Sequence, residues 1–370
     1  MATLQNPTQN QHFISQSEQR LNAINPRAAD RRSRRIFAFT LADRDKIVVT
    51  LDRDEGIPLR ENLAFNDLFS LDIQGKLRLN LETCFQRYER DVATHTRSLL
   101  TKLDMRQPDI KAEFIGLFES KFLNLLRNPH SVKKVLNLLG DSLSRFAPTD
   151  PQLLQAYRKL ASPKPHQEPI LRAFGLTSED YRRWLQSLFL MVAVDMEGGS
   201  ILDHVVRNML QRSTVHATVH RYSESNPTAL CLLSDRGIND LSPSDETKTM
   251  IMWDFNLTSK AFIRLGLSNL SESVPLNFPH IAPEMARQIQ RLIQGRINVE
   301  VRDNDLKTLA NYNVNAVHQC AQRVFCAGRS PHGVHVARRT SSGAWRTSNP
   351  SQRSRTRALA LAAILRKGAT

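Results

Sequence analysis

The chain lacks the features that mark a membrane, secreted or disulfide-stapled protein. Its unbroken apolar runs are short: Leu188 to Val194 ends at Asp195, and Ala358 to Leu365 ends at Arg366. Both are far short of the roughly 20 residues a spanning helix needs, so no membrane partner is expected. The first thirty residues carry no apolar core of the secretory type, which argues against export and makes the cytoplasm the expected compartment. Cysteine is sparse: Cys84, Cys231, Cys320 and Cys326 follow no framework spacing, as expected of reduced thiols. There is no Gly-rich loop ending in Lys-Ser/Thr, no His-Glu-x-x-His, no Cys-x-x-Cys and no nucleophile elbow. His318-x-Cys320 with Cys326 lacks four-ligand zinc spacing. No repeat of solenoid period is present.

Hydrophobic residues make up 41% of the 370 positions, ample for a sizeable core. The net charge of +15 points toward polyanions, because Lys and Arg release counterions from phosphates. Its distribution is uneven. From Arg329 onward there are eight Arg, one Lys and no acid, which leaves only +6 to the rest of the chain. Composition therefore divides the chain into an N-terminal segment (1–35), a body (36–326) and a basic tail (327–370) expected to be disordered.

Within the body, Ile36–Leu41 and Ile47–Leu51 flank Arg44-Asp45 as a β-hairpin. Leu81 to Leu103 repeats apolar residues at helical period, and Asp109 to Arg127 is apolar nearly all round, which predicts a central helix. Lys121 falls inside that apolar arc, where snorkelling is the commoner outcome. Pro129 opens a further helix. The three prolines of Ser162–Pro169 predict a loop. Ser178–Val194 and Ser200–Leu210 read as helices broken at Gly198-Gly199. The period then changes to two: Thr214–Tyr222, Ala229–Leu233, Thr249–Phe255 and Ala261–Leu265 read as strands. Helices over Ala282–Gln294 and Asn304–Arg323 close the body. The expected fold is α+β, with one small, mostly antiparallel sheet, built from the hairpin and the later strands, packed on a helical layer.

Several short segments follow one another in a suggestive order. Gln11-His12-Phe13-Ile14-Ser15-Gln16 precedes Arg20-Leu21; Glu89 lies in CFQRYERDVA; Arg127-Asn128-Pro129 ends the apolar helix. Ser234-Asp235 ends a strand, Leu257-Thr258 lies in another, and Asn315 precedes Ala321-Gln322-Arg323-Val324-Phe325 in the predicted last helix. In this order, over about residues 10 to 326, they resemble the bacterial domain-of-unknown-function family 4238, which has no assigned activity. Ser15 stands where that family has proline, and Arg236-Gly237 where it has a residue and proline.

If Thr214–Tyr222 and Ala229–Ser234 form a hairpin with Tyr222 opposite Ala229, His216 lies opposite Asp235, and His216, His220 and Tyr222 share a face. An imidazole beside a carboxylate can act as general base or proton shuttle. His12, Glu89 and Asp235 would together offer the nitrogen and hard oxygens that Mg²⁺ or Mn²⁺ accepts. Arg127 and Arg323, with Asn315, could then hold an anionic substrate. Two readings follow. One is a metal-assisted hydrolase of nucleic acid or nucleotides, an effector against mobile elements, with His12, Glu89, Asp235 and His216 as its candidate catalytic groups. The other is a non-catalytic binding module in which the same polar residues hold the fold together.

Overall fold

The computed structural model describes residues 4–107, 109–242, 250–269, 280, 282–339 and 345–346. The fold is α+β. Its centre is the Lys111–Leu126 helix, whose Phe114, Leu117, Phe118, Phe122 and Leu123 are buried on all sides as its apolar circumference demands. Each such side chain contributes about 1.5–3 kcal/mol on burial. The helix stops where Asn128 takes the extended backbone that a following proline requires. Pro129 then opens a short 3-10 turn, with the Asn128 side chain accepting the His130 N–H at 3.0 Å. The Ser178–Ala193 helix packs beside it, with Tyr181, Trp184 and Leu188 fully enclosed.

Among the described residues there are two large sheets, not one. Five strands run in the order Asn239–Asp240, Met250–Thr258, Ala261–Ser268, Thr214–Arg221, Ile297–Asp303, with the last pair parallel. Their inner face, including Val215, Val219, Phe255 and Ile263, shares the main core with the helices. Seven strands form the second sheet, in which Arg35–Asp43 lies between Arg323–Cys326 and Val48–Leu51. The N-terminal hairpin forms as its residues predict but belongs to this second sheet, which takes only Leu233–Ser234 from the strands between Thr214 and Ser268. Phe37, Phe39, Val49 and Val324 cover a separate core with Val317 and Cys320.

The Leu306–Gln319 helix joins the sheets. Ala316 and Val317 face the seven-stranded sheet, while Leu309 and Tyr312 pack with Tyr222 and Phe262 of the five-stranded one. The Tyr312 ring stacks on Phe262 at 4.0 Å, and His220 stacks on the same Phe262 ring at 4.6 Å.

Four expectations are corrected. The Thr214–Tyr222/Ala229–Ser234 hairpin is absent: His216 pairs with Gly266 and Asn298, and only Leu233–Ser234 is strand, opposite Phe325 and Val324. The physical reason is a side chain. Asn313 accepts the Leu232 N–H at 2.9 Å and donates to the Leu230 carbonyl at 2.9 Å, replacing a partner strand. The last helix ends at Gln319, so Arg323-Val324-Phe325 is strand rather than helix. The proline loop turns helical at Glu168–Phe174, with Pro169 in the first turn where no N–H is needed. The helical stretch from Leu81 divides into Glu82–Glu89 and Val92–Asp104.

The tail also begins differently from expectation. His335–Arg339 adds a strand parallel to Val48–Leu51, burying Ala337 and packing Val334 and Val336 on the second core. Gly333, at φ +77°, lies so close to Ala310 that a Cβ there would be 2.7 Å from the alanine's. The rest of the basic segment, 340–344 and 347–370, lies outside the described residues. A chain ending at Gly328 should lose this strand and roughly 3 kcal/mol of burial. Its melting temperature should fall by about 5–10 °C; an unchanged melt by differential scanning fluorimetry would show that the strand adds nothing.

Candidate functional site

Three of the residues read as functional, His12, Glu89 and Arg127, gather around the end of the central helix. Ser15 caps the Gln16–Leu21 helix, its hydroxyl accepting the Glu18 N–H at 3.1 Å, and this turn sends Glu18 into the interior. There Glu18 is ion-paired with Lys121 and accepts from Asn124 Nδ2 at 2.6 Å. Lys121 is 1% exposed, so it does not snorkel but has a buried partner. One turn on, Asn124 Oδ1 accepts from Arg127 Nη2 at 2.9 Å, and Arg127 Nη1 pairs with Glu89. The guanidinium also lies over the Phe85 ring at 5.1 Å. A continuous polar chain thus runs Glu18, Lys121, Asn124, Arg127, Glu89.

His12 stands at the edge of this chain, its Nε2 3.3 Å from the Leu59 carbonyl oxygen. Burial lowers its pKa to about 4, aided by the Arg127 charge and opposed by the Leu59 carbonyl. Glu82, at the start of the helix that ends with Glu89, was not singled out from sequence. Burial raises its pKa to about 8, the Glu89 charge adds to the shift, and Arg127 opposes it. Its Oε1 and the Nε of Arg127 are buried without hydrogen-bond partners. At neutral pH the cluster therefore holds a neutral imidazole, a mostly un-ionised carboxyl group and a guanidinium compensated by Glu89.

The remaining candidates lie apart from it. Asp235, 3% exposed, accepts the backbone N–H groups of Ala321, Gln322 and Arg323 at 2.8, 2.7 and 2.8 Å. Its own N–H donates to the Arg323 carbonyl at 3.1 Å, and Asn128 Nδ2 donates to its carbonyl at 2.7 Å. This carboxylate clasps the chain between the last helix and the Arg323–Cys326 strand. His216 is exposed on the five-stranded sheet. Arg323 is half exposed and meets Asp52 at 3.3 Å. Asn315 is half-buried on the Leu306–Gln319 helix; the fully buried amide of that helix is Asn313. Among the described residues no three His, Cys, Asp or Glu side chains converge as metal ligands, so His12, Glu89 and Asp235 form no shared metal site.

Sequence signals for the missed residues were weak. Lys121 within an apolar helix read as snorkelling or as having a buried partner, with snorkelling the commoner outcome, and nothing local pointed to Glu18, 103 positions away. Comparison with family models, curated proteins and solved structures finds no match to this chain.

Two outcomes follow. Asp235→Asn turns an acceptor-only group into one whose NH₂ faces backbone donors, which should cost roughly 1.5–3 kcal/mol and several degrees of melting temperature. An Asn variant as stable as the parent would remove the clasp. For pH, Glu82 has a folded pKa raised from its ordinary 4.5 to about 8, so its stabilisation is full at low pH and is lost as pH rises through 8. His12, lowered from 6.5 to about 4, acts in the opposite sense, with stability lost as pH falls through 4. Thermal melts of Glu82→Gln from pH 6 to 9 should therefore decline less than those of the parent, and parallel curves would contradict this.

Proposed function

We propose that this chain is a non-catalytic binding module for nucleic acid or a nucleotide, in which the buried polar residues organise the fold. The observation that carries the reading is Asp235, whose two carboxylate oxygens are engaged by three backbone N–H groups. A general base or metal ligand needs a free lone pair aimed at substrate or ion, and this group is aimed at its own chain. Glu89 and Arg127 are likewise tied to each other and, through Asn124, to the Glu18–Lys121 pair. A metal-assisted hydrolase using Mg²⁺ or Mn²⁺ would need His12, Glu89 and Asp235 to share an ion, and they are not placed to do so.

The partner class follows from charge. A net +15 favours phosphate-rich ligands through counterion release. Among the described residues no helix is long and apolar enough to cross a membrane. All four cysteines are free and buried, which agrees with a reducing, cytoplasmic setting as part of the same proposal. Membership of family 4238 is also proposed, on the ordered motifs from Gln11 to Phe325.

The test is fluorescence anisotropy of a labelled single-stranded oligonucleotide with the full chain, Mg²⁺ and Mn²⁺ present, followed by electrophoresis of the oligonucleotide. Binding should weaken by at least about tenfold between about 50 and about 200 mM salt, and the oligonucleotide should be recovered intact. Metal-dependent shortening that Asp235→Asn abolishes, at a temperature where the variant is folded, would restore the hydrolase.

A further inference from the structure

A cleft of about 290 Å³ opens where the two sheets and the central helices meet. None of the residues read as functional from sequence lines it. Its walls include Arg44, Lys134, Arg236, Asp240, Trp253 and His318. Arg44 comes from the hairpin turn of the seven-stranded sheet, Lys134 from the helix after Pro129, and Arg236 from the turn following Ser234. His318 is in the last turn of the helix that joins the sheets, and Trp253 belongs to the five-stranded sheet. Separate parts of the fold thus bring three fixed cations and an imidazole to one opening, against one carboxylate.

The cations differ in how far they are satisfied. Arg44 is held by carbonyls at the end of the Leu306–Gln319 helix, donating to His318 O and, at 2.9 Å, to Cys320 O. Lys134 pairs with Asp240, which also accepts from the Ser242 hydroxyl at 2.6 Å. Arg236 has no such bond. Its side chain forms no ion pair among the described residues, and its Nε is buried without an acceptor. A buried, unused guanidinium donor costs about 1–3 kcal/mol. Its backbone is nonetheless fixed: Arg236 N–H donates to Ser234 Oγ at 3.2 Å, and Gly237, at φ +75°, closes the turn with a 2.9 Å bond to the Ser234 carbonyl.

The cleft is not uniformly polar. Trp253 is 5% exposed, and its indole is held by stacking on Phe118 and Phe122, with ring centroids 6.1 Å away in each case. A rigid aromatic surface beside an unpaired guanidinium suits a ligand with an anionic group and a flat apolar part. The volume is just below the range usual for small-molecule sites, so any ligand held here is small.

We propose that this cleft binds a nucleotide phosphate, with Arg236 meeting the phosphate oxygens and Trp253 underlying the base. The proposal rests on the binding-module reading and gives it a location. The same chemistry is presented by a free mononucleotide and by one unit of a single strand. Arg44 and Lys134 add to the field of the cleft, each already holding acceptors of the protein.

Titration of the full chain with AMP, and separately with a labelled single-stranded oligonucleotide at about 0.15 M salt, tests this. Arg236→Ala should weaken binding about tenfold, equivalent to about 1.4 kcal/mol, while leaving the melting temperature within a degree or two because no internal bond is lost. Arg236→Lys should be intermediate, since it keeps the charge and loses the fork. If AMP binds and displaces the oligonucleotide, a free nucleotide suffices; if only the oligonucleotide responds to Arg236→Ala, the strand is the source, and both results support the site. Oligonucleotide binding by the parent that Arg236→Ala leaves unchanged would overturn the cleft while sparing the binding module. No binding of either probe by the parent would overturn both.

Discussion

The constraint on which the rest of the structure depends is the enclosure of the Lys111–Leu126 helix. A helix apolar on nearly every side has no face to give to water, so chain must surround it. Two cations are trapped in the process, Lys121 within the helix and Arg127 at its end, each 1% exposed. A buried charge without a counter-charge costs several kcal/mol, so the segments that may pack here are those bringing an acid. Glu18 and Glu89 do so from opposite sides, and Asn124 between the two cations links the pairs. The N-terminal segment is thereby fixed to the core by a polar network as well as by Phe13 and Ile14. Removing one member would leave its partner buried and unpaired, which makes this network a determinant of register more than a source of net stability.

A second constraint arises where the Leu306–Gln319 helix packs against both sheets. The Leu306–Gln319 helix must satisfy an apolar core on each side and also hold irregular chain where no strand partner exists. Asn313 does the latter by taking three backbone groups, from Leu230, Leu232 and His332. Asp235 does it just past the helix end, by taking three N–H groups where the chain turns into the Arg323–Cys326 strand. Arg44 serves the carbonyls of the same helix end, where the helix dipole is negative. Three side chains thus close one junction. The cleft lies beside it, lined by His318 and Gln319 of the helix end and by Arg236 from the turn after Asp235, a turn fixed by bonds to Ser234.

Much of this was legible in the sequence, and the boundary has a physical origin. Local periodicity determined the central helix, the Ser178–Ala193 helix, the first hairpin and the pair of strands across Met250–Ser268, because each expresses its own period and turn within a short window. The α+β class followed from the same evidence. Of the motif residues read together, His12, Glu89, Arg127 and Asp235, Glu89 pairs with Arg127 and His12 feels the Arg127 charge, whereas Asp235 holds backbone N–H groups instead. What could not be read was partnership. His216 and Asp235 required a strand pairing that only a contiguous hairpin would give, and the Asn313 amide took the backbone groups such a strand would have used. His335–Arg339 read as unfolded because its arginines mask two valines, Val334 and Val336, whose value depends on a distant parallel neighbour at Val48–Thr50. The sequence by itself determined the α+β class and the elements that carry their own period, the central helix, the Ser178–Ala193 helix, the first hairpin and the strands across Met250–Ser268. Only the tertiary structure decided which acid meets Lys121, that Asp235 holds backbone rather than facing an imidazole, and that Arg236 is left without a partner. Those outcomes depend on contacts between residues scores to hundreds of positions apart, and no local pattern encodes a distance through space.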